Sequence, residues 1–164
     1  MVTNKMEDLY QKAAEILNNI IPVTWKEIYL YAEVSDDSRQ VFFYFYPEEK
    51  NAPIYSLDIM NKYNVEEQYF EELEDELYDV FTELWDVFER QKQEKWTNLT
   101  FMLENSGEFN IDYSYNDLSE ADSYEQQIIW EYKYLKIITE EDRPRAIIEK
   151  FLRQCKLTEP NMKP

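Results

Sequence analysis

Residues 25–46 read WKEIYLYAEVSDDSRQVFFYFY, and this stretch decides the fold. From Ile28 to Val34, apolar residues alternate with tyrosine and glutamate, which is typical of a strand with one buried face. Asp36-Asp37-Ser38 follows as a turn, and the run from Val41 to Tyr46 is bulky on both faces. A run of that kind indicates a central strand of a sheet. The stretch therefore predicts two strands at the heart of a sheet.

The remaining predicted elements lie on both sides of this stretch. Apolar residues spaced three and four apart predict helices, and short apolar or aromatic runs between turn residues predict strands. In chain order, these elements are a helix at residues 6–21, a weaker strand at 53–59, a long helix at 66–94, strands at 97–104 and 108–115, a helix that begins after residue 123, and a helix at 143–155.

Three sequence features mark where elements begin, end or turn. Pro22 closes the first helix, because the residue before a proline is pushed out of the helical region. Asn64 and Glu67 have the spacing of a capping pair at the start of the long helix. Gly107 is the single glycine of the chain, and it falls where a tight hairpin requires positive φ.

The order α-βββ-α-ββ-αα predicts an α+β fold, an antiparallel sheet of about five strands packed with helices. The chain has 164 residues, which suits one domain with its own core. We expect a single domain over residues 1–157 and a flexible tail over 158–164.

Composition favours a binding protein over an enzyme. The chain has 35 acidic and 17 basic residues, a net charge of −18, which argues against direct binding to nucleic acid or to an anionic membrane. It has no histidine, the commonest general base and transition-metal ligand. Cys155 alone forms neither a disulfide nor a thiolate cluster, and one glycine leaves no phosphate-binding loop. We therefore expect no catalytic residue, no cofactor and no metal, and a basic partner.

The long helix carries more than half of the net negative charge. Residues 66–94 contain twelve acidic residues against Arg90 and Lys92, a net charge of −10. Five of the acids step along one face at spacings of three and four, and we call them the predicted acidic row: Glu72, Glu76, Asp79, Glu83 and Asp86. A solvated face is the ordinary reason for such a row. The scarcity of basic neighbours favours electrostatic capture of a basic protein surface.

Tyrosine is the commonest of the aromatic residues, with 14 in the chain. Four tyrosines lie on the two central strands and are interpreted as a second core face under a helix: Tyr29, Tyr31, Tyr44 and Tyr46. Tyrosine is favoured at protein interfaces because it offers a large rigid surface with a hydrogen-bonding tip. An interface role is expected for four others near a sheet end: Tyr113, Tyr115, Tyr124 and Tyr134.

Two other functions stay open at this point. A carboxylate-based enzyme or metal binder is possible in principle, because two acids can meet from anywhere in a fold. Polar residues alternate at 110–116 as in a calcium loop, but the solvent-exposed face of a strand accounts for that spacing. The other alternative is an acidic adaptor that mimics DNA and blocks some other basic protein.

Several stretches of the chain together resemble the YezG/EsaG family of immunity proteins, or antitoxins, of Gram-positive bacteria. The resemblance covers about residues 6–138. It rests on the order and spacing of IPVTWKEIY (21–29), FFYFY (42–46), KYN (62–64), ELYDVF (76–81), Trp96, GEF (107–109), YSY (113–115) and WEYKY (130–134).

The resemblance implies a cytoplasmic antitoxin. Such a protein binds the C-terminal nuclease domain of an LXG-type or related polymorphic toxin that leaves through a type VII secretion system. The family brings no catalytic motif. The first eleven residues contain Glu7 and Asp8 and no apolar stretch, so we expect no signal peptide. Lys136 stands where a glycine often follows the aromatic pair in the family.

Overall fold

The computed structural model describes residues 3–158, with side chains as far as Lys156. The predicted fold class is confirmed, since the described residues form an α+β fold with five α-helices and a five-stranded antiparallel sheet. They fall into two compact units, one ending at Asp117 and the other beginning at Leu118. The single domain over residues 1–157 stays a prediction. The expected tail lies outside the described residues, except for the backbone of Thr158.

The first unit contains the whole sheet and three helices. Its elements are α1 (Asn4–Ile20), β1 (Trp25–Val34), β2 (Arg39–Pro47), β3 (Ile54–Tyr55), a 3-10 turn (Ser56–Asp58), α2 (Ile59–Tyr63), α3 (Glu67–Arg90), β4 (Asn98–Glu104) and β5 (Phe109–Ser114). The strands lie in the order β3-β2-β1-β4-β5, so the quoted stretch supplies the central strand and its neighbour.

One face of the sheet forms the core with α1 and α3. The strand register aligns Phe43, Leu30, Phe101 and Ile111 across β2, β1, β4 and β5. Leu30 and Phe101 are fully buried, and burial of a side chain of this size contributes roughly 1.5–3 kcal/mol. The hairpin between β4 and β5 turns at Gly107 with φ of 97°, as predicted.

The opposite face of the sheet is also largely buried at its centre. Tyr31 and Tyr44 are buried, and Tyr29 and Tyr46 are half-buried. The burial of the first two is consistent with a second core face, and the helix expected over it stays a prediction. The Tyr29 hydroxyl donates to Glu27 Oε2 at 2.9 Å. Burial, together with the charge of this carboxylate, raises the pKa of Tyr29 to about 12.

The third predicted strand is much shorter than expected. Only Ile54 and Tyr55 pair with β2, and the chain then turns into α2. The buried Ser56 hydroxyl accepts a hydrogen bond from the backbone N–H of Phe43 at 3.2 Å, which replaces the next rung of the ladder. The predicted capping pair is wrong as well. Asn64 ends α2 with left-handed backbone, and Glu66 precedes the first turn of α3.

The second unit consists of two helices joined by an irregular segment. These are α4 (Ser123–Trp130), a π-helical turn (Glu131–Leu135) and α5 (Asp142–Thr158). Asp122 caps α4 by accepting from the backbone N–H of Glu125 at 3.1 Å. The helix predicted after residue 123 therefore changes its hydrogen-bond pattern at Glu131 instead of running on unchanged.

Candidate partner-binding surface

The predicted acidic row lies on α3, whose other face belongs to the core. Phe70, Leu77, Phe81 and Leu84 of α3 are each at most 1% exposed. Because apolar residues recur every three or four positions, α3 turns one stripe towards α1 and the sheet. Its carboxylates consequently lie along the remaining circumference, where water or a partner can reach them.

The five residues of the predicted acidic row differ in their surroundings. Glu72, Glu76 and Asp79 are exposed, and Glu83 and Asp86 are half-buried. Two of them have cationic neighbours from elsewhere in the chain. Arg39 Nη1 lies 3.1 Å from Asp79 Oδ1, and Lys5 Nζ lies 2.8 Å from Glu83 Oε1. The second half of the row is thus partly neutralised, although exposed pairs of this kind contribute only about 0–1 kcal/mol each to stability.

The environment of Glu83 keeps its carboxylate ionised. The hydrogen bond with Lys5 is the main reason that the pKa of Glu83 lies below its ordinary value, and the charges of Lys5, Arg90 and Lys12 act in the same direction. Glu83 is therefore negative at neutral pH, with a compensating charge beside it.

A second group of acids on the first turns of α3 has no such compensation. We call Glu67, Glu71, Glu74 and Asp75 the N-terminal acidic cluster. No lysine or arginine nitrogen within the described part of the chain lies within 4 Å of these carboxylates. The charge of Glu67 is the main reason that the pKa of Glu71 is raised, and burial is the main reason for Glu74. The i, i+4 spacing of Glu67, Glu71 and Asp75 was the sequence signal for this cluster.

The two candidate tyrosines of the first unit have different roles in the packing. The Tyr113 ring lies 5.1 Å from Phe88 and 6.1 Å from Trp96, and its hydroxyl lies 2.6 Å from that of Tyr10. Tyr113 is therefore built into the packing of β5 on α1 and α3. Tyr115 is 45% exposed, so its side chain is accessible to a partner.

The two candidate tyrosines of the second unit each have an aromatic or cationic neighbour. Tyr124 is 41% exposed, and the Arg143 guanidinium lies 4.3 Å from the centre of its ring. Tyr134 is half-buried, and its ring lies 5.5 Å from that of Trp130. Tyr115 and Tyr124 are thus the most accessible of the four predicted interface tyrosines.

Comparison with known proteins gives a consistent result. The model of the YezG-like family, described as immunity protein YezG-like, matches residues 6–149. This chain belongs to the YezG-like family of immunity proteins. The resemblance that rested on ordered aromatic motifs is therefore confirmed, and the family match extends beyond residue 138 into α5.

Three relatives illustrate the similarity of this YezG-like chain to known proteins. Immunity protein YezG of Bacillus subtilis is 47% identical over 149 residues, which cover 90% of this chain and 99% of the relative. Immunity protein YezG of Bacillus spizizenii is 40% identical over 155 residues, which cover 93% and 96%. The type VII secretion system protein EsaG of Staphylococcus aureus is 30% identical over 138 residues, which cover 83% and 85%.

Membership of the YezG-like family supports an immunity role, and an immunity protein acts by binding a cognate toxin, which is itself a protein. Within residues 3–156, no three acidic or cysteine side chains are grouped so that they could hold a metal ion. In the same range, no helix combines the length and apolar character that crossing a bilayer requires.

Proposed function

We propose that this chain is an antitoxin that binds and neutralises the nuclease domain of a type VII-secreted, LXG-type toxin in the cytoplasm of the producing cell. Binding takes place through the acidic surface of α3 and through accessible aromatic side chains. The protein blocks the nuclease stoichiometrically and carries out no reaction itself.

The observation that carries this proposal is the accessible, uncompensated negative charge on α3. Glu72 and Glu76 of the predicted acidic row are exposed, and the N-terminal acidic cluster lies on the same turns of the helix. Like charges at i, i+4 spacing repel one another by a few tenths of a kcal/mol per pair. A cation supplied by a partner relieves this repulsion.

The chemistry of the proposed target complements this surface. A nuclease binds the phosphates of its substrate in a cleft lined with basic side chains. A surface of carboxylates has the same negative charge as those phosphates, but the nuclease cannot hydrolyse it. Electrostatic steering between such surfaces accelerates association, to about 10⁸–10⁹ M⁻¹s⁻¹ at low salt. Tyr115 and Tyr124 supply accessible aromatic area for the contact that follows.

The direct test uses the nuclease domain of an LXG-type toxin from the same organism. The purified domain is mixed with this protein, and nuclease activity and complex mass are measured. We expect a complex of defined stoichiometry and complete inhibition at the equivalence point. Failure of the two proteins to bind would overturn the proposal. Binding to unrelated DNA-binding proteins instead would favour the DNA-mimicking adaptor.

Charge reversal tests whether α3 supplies the steering. The triple variant Glu72→Lys, Glu76→Lys, Asp86→Lys changes three members of the predicted acidic row that have no cation within 4 Å in the described residues. The association rate constant should fall at least about tenfold at low salt. A matched control, Asp36→Lys, Asp37→Lys, Glu49→Lys, changes the net charge equally at exposed loop residues. An equal effect of both triples would contradict a specific role of α3.

A further inference from the structure

An open groove lies on the first unit between α1 and the hairpin of β4 and β5. It has a volume of about 710 Å³, and its lining comes from α1, Trp25 and residues 103–109, with no contribution from α3. The groove is therefore a feature separate from the acidic surface of α3.

The helix side of the groove follows from the spacing of residues in α1. Glu7, Gln11, Ala14 and Asn18 recur at intervals of four, three and four residues, which places them on one face of the helix. The small side chain of Ala14, in the middle of this face, gives the groove its depth.

Two aromatic side chains in the groove are held in place before any partner arrives. Phe109 is 49% exposed, yet its ring lies 5.6 Å from the rings of both Tyr10 and Phe101. The Trp25 indole N–H donates to Asn18 Oδ1 at 3.2 Å. Side chains that are already ordered lose little conformational entropy on binding, so they are effective anchors.

The rim of the groove is acidic. Glu7, Glu15 and Glu104 are exposed around it, and no lysine or arginine is among the described residues that line it. The side chains of Ala14, Trp25 and Phe109 supply apolar surface inside this negative rim. Such a groove fits a segment that presents one apolar side chain between basic ones.

We propose that the groove binds a basic amphipathic segment of the toxin, with an apolar side chain against Phe109 and Ala14 and lysine or arginine side chains at the rim. This inference rests on the proposed function, because it takes the toxin as the partner. The two surfaces then affect different rate constants. The charges of α3 affect the association rate constant, and the apolar contact that Phe109 makes in the groove affects the dissociation rate constant.

Two variants test the groove, with the nuclease domain of an LXG-type toxin from the same organism as the probe. Ala14→Arg fills the groove with a cationic side chain, and arginine has a high intrinsic helix propensity. Phe109→Ala removes the anchor. Each variant should raise the dissociation rate constant at least about tenfold. A control, Asp8→Gln, makes the same change in net charge as Ala14→Arg on an exposed α1 residue outside the groove, and its dissociation rate constant should match the wild type.

The outcomes separate this inference from the proposed function. If the wild type binds the toxin domain and Ala14→Arg dissociates as slowly as the wild type, the groove proposal is overturned and the antitoxin function stands. If the wild type does not bind at all, both fall. A dimer of the free protein that Ala14→Arg dissociates would assign the groove to a second copy and also overturn the proposal. Unfolding midpoints identify any variant that fails to fold, and Ala14→Arg remains decisive if Phe109→Ala is destabilised.

Discussion

Lys136 holds left-handed backbone after the π-helical turn, with φ of 58° and ψ of 31°. This conformation costs a residue with a β-carbon roughly 1–2 kcal/mol, and glycine adopts it freely. These angles therefore favour glycine over lysine at this position. Lys136→Gly should raise the free energy of unfolding by about 1 kcal/mol or slightly less, because glycine also gains freedom in the unfolded chain. Urea unfolding measures the change.

Gly107 provides the matched opposite change. Its φ is 97°, and an added β-carbon would meet no atom within 4 Å. Gly107→Ala should therefore destabilise the protein by about 1 kcal/mol through backbone strain alone. Equal unfolding midpoints for the wild type and Lys136→Gly would mean that the turn relaxes around Lys136 at no cost.

Tyr10 and Tyr113 join α1 to β5 through their hydroxyl groups, which lie 2.6 Å apart. If either tyrosine is replaced by phenylalanine, the hydroxyl of the other loses its hydrogen-bond partner in a partly buried site. The free energy of unfolding should fall by about 1–2 kcal/mol. The double variant Tyr10→Phe, Tyr113→Phe removes both polar groups and should cost less than the sum of the single changes. Four unfolding curves test this, and strict additivity would show that the pair contributes no coupling energy.

At the scale of elements, α3 contains carboxylates that affect stability in opposite directions. The pKa of Glu71 is raised, chiefly by Glu67, so the folded state disfavours its ionised form. The contribution of Glu71 to the stability of the folded state is present below its ordinary pKa of 4.5, and it is lost as the pH rises through its pKa in the folded state. The pKa of Glu83 is lowered, so its contribution is present above 4.5 and is lost as pH falls through its folded value.

Glu71→Gln should therefore raise the melting temperature at pH 7, and Glu83→Gln should lower it. Both differences should shrink as the pH falls, and the difference for Glu83→Gln should persist to lower pH, because the pKa of Glu83 is lowered in the folded state. Melting curves of the three proteins at pH 7 and pH 3 give the result. A difference for Glu71→Gln that is as large at pH 3 as at pH 7 would point to a cause other than the charge of Glu67.

The long elements were predictable because many residues carry their periodicity. The existence and type of β1 and α3 follow from the alternation at 28–34 and from the apolar stripe that includes Phe70 and Leu84. The predicted end of the long helix at residue 94 was wrong, because α3 ends at Arg90. The short elements depend on single contacts between distant residues. Ser56 ends β3 by accepting from Phe43, and nothing near Ser56 in the sequence signals that bond. The sequence was ambiguous at Asn64, because asparagine is common both at helix N-termini and in left-handed backbone. In the structure Asn64 has the left-handed conformation and ends α2.

On the scale of the whole molecule, the charge pattern of α3 was only half predictable. The spacing of Glu72 and Glu76 placed them on one face without reference to the rest of the fold. The cations beside Asp79 and Glu83 come from β2 and α1, and the tertiary fold alone brings them there. Counting charges within residues 66–94 therefore overstated the negative charge of the second half of the helix.

This asymmetry predicts where a basic partner first meets the protein. The negative potential should be deepest over the first turns of α3, where the N-terminal acidic cluster has no cationic neighbour within 4 Å in the described residues. Reversal at Glu67, Glu71 and Asp75 should therefore slow toxin association more than reversal at Asp79, Glu83 and Glu89, although both triple variants change the net charge equally.

The two triple variants should also differ in stability. The first places lysines three or four residues from Glu72, Glu74 and Asp79, whereas the second places new lysines beside Arg39, Lys5 and Lys95. Stopped-flow association at several salt concentrations, together with melting temperatures, tests both statements. The first triple should melt at or above the wild-type temperature while its association rate shows the weaker salt dependence. If the second triple slows association as much as the first, the partner senses only the net charge, and no part of α3 is distinguished as the place of first contact.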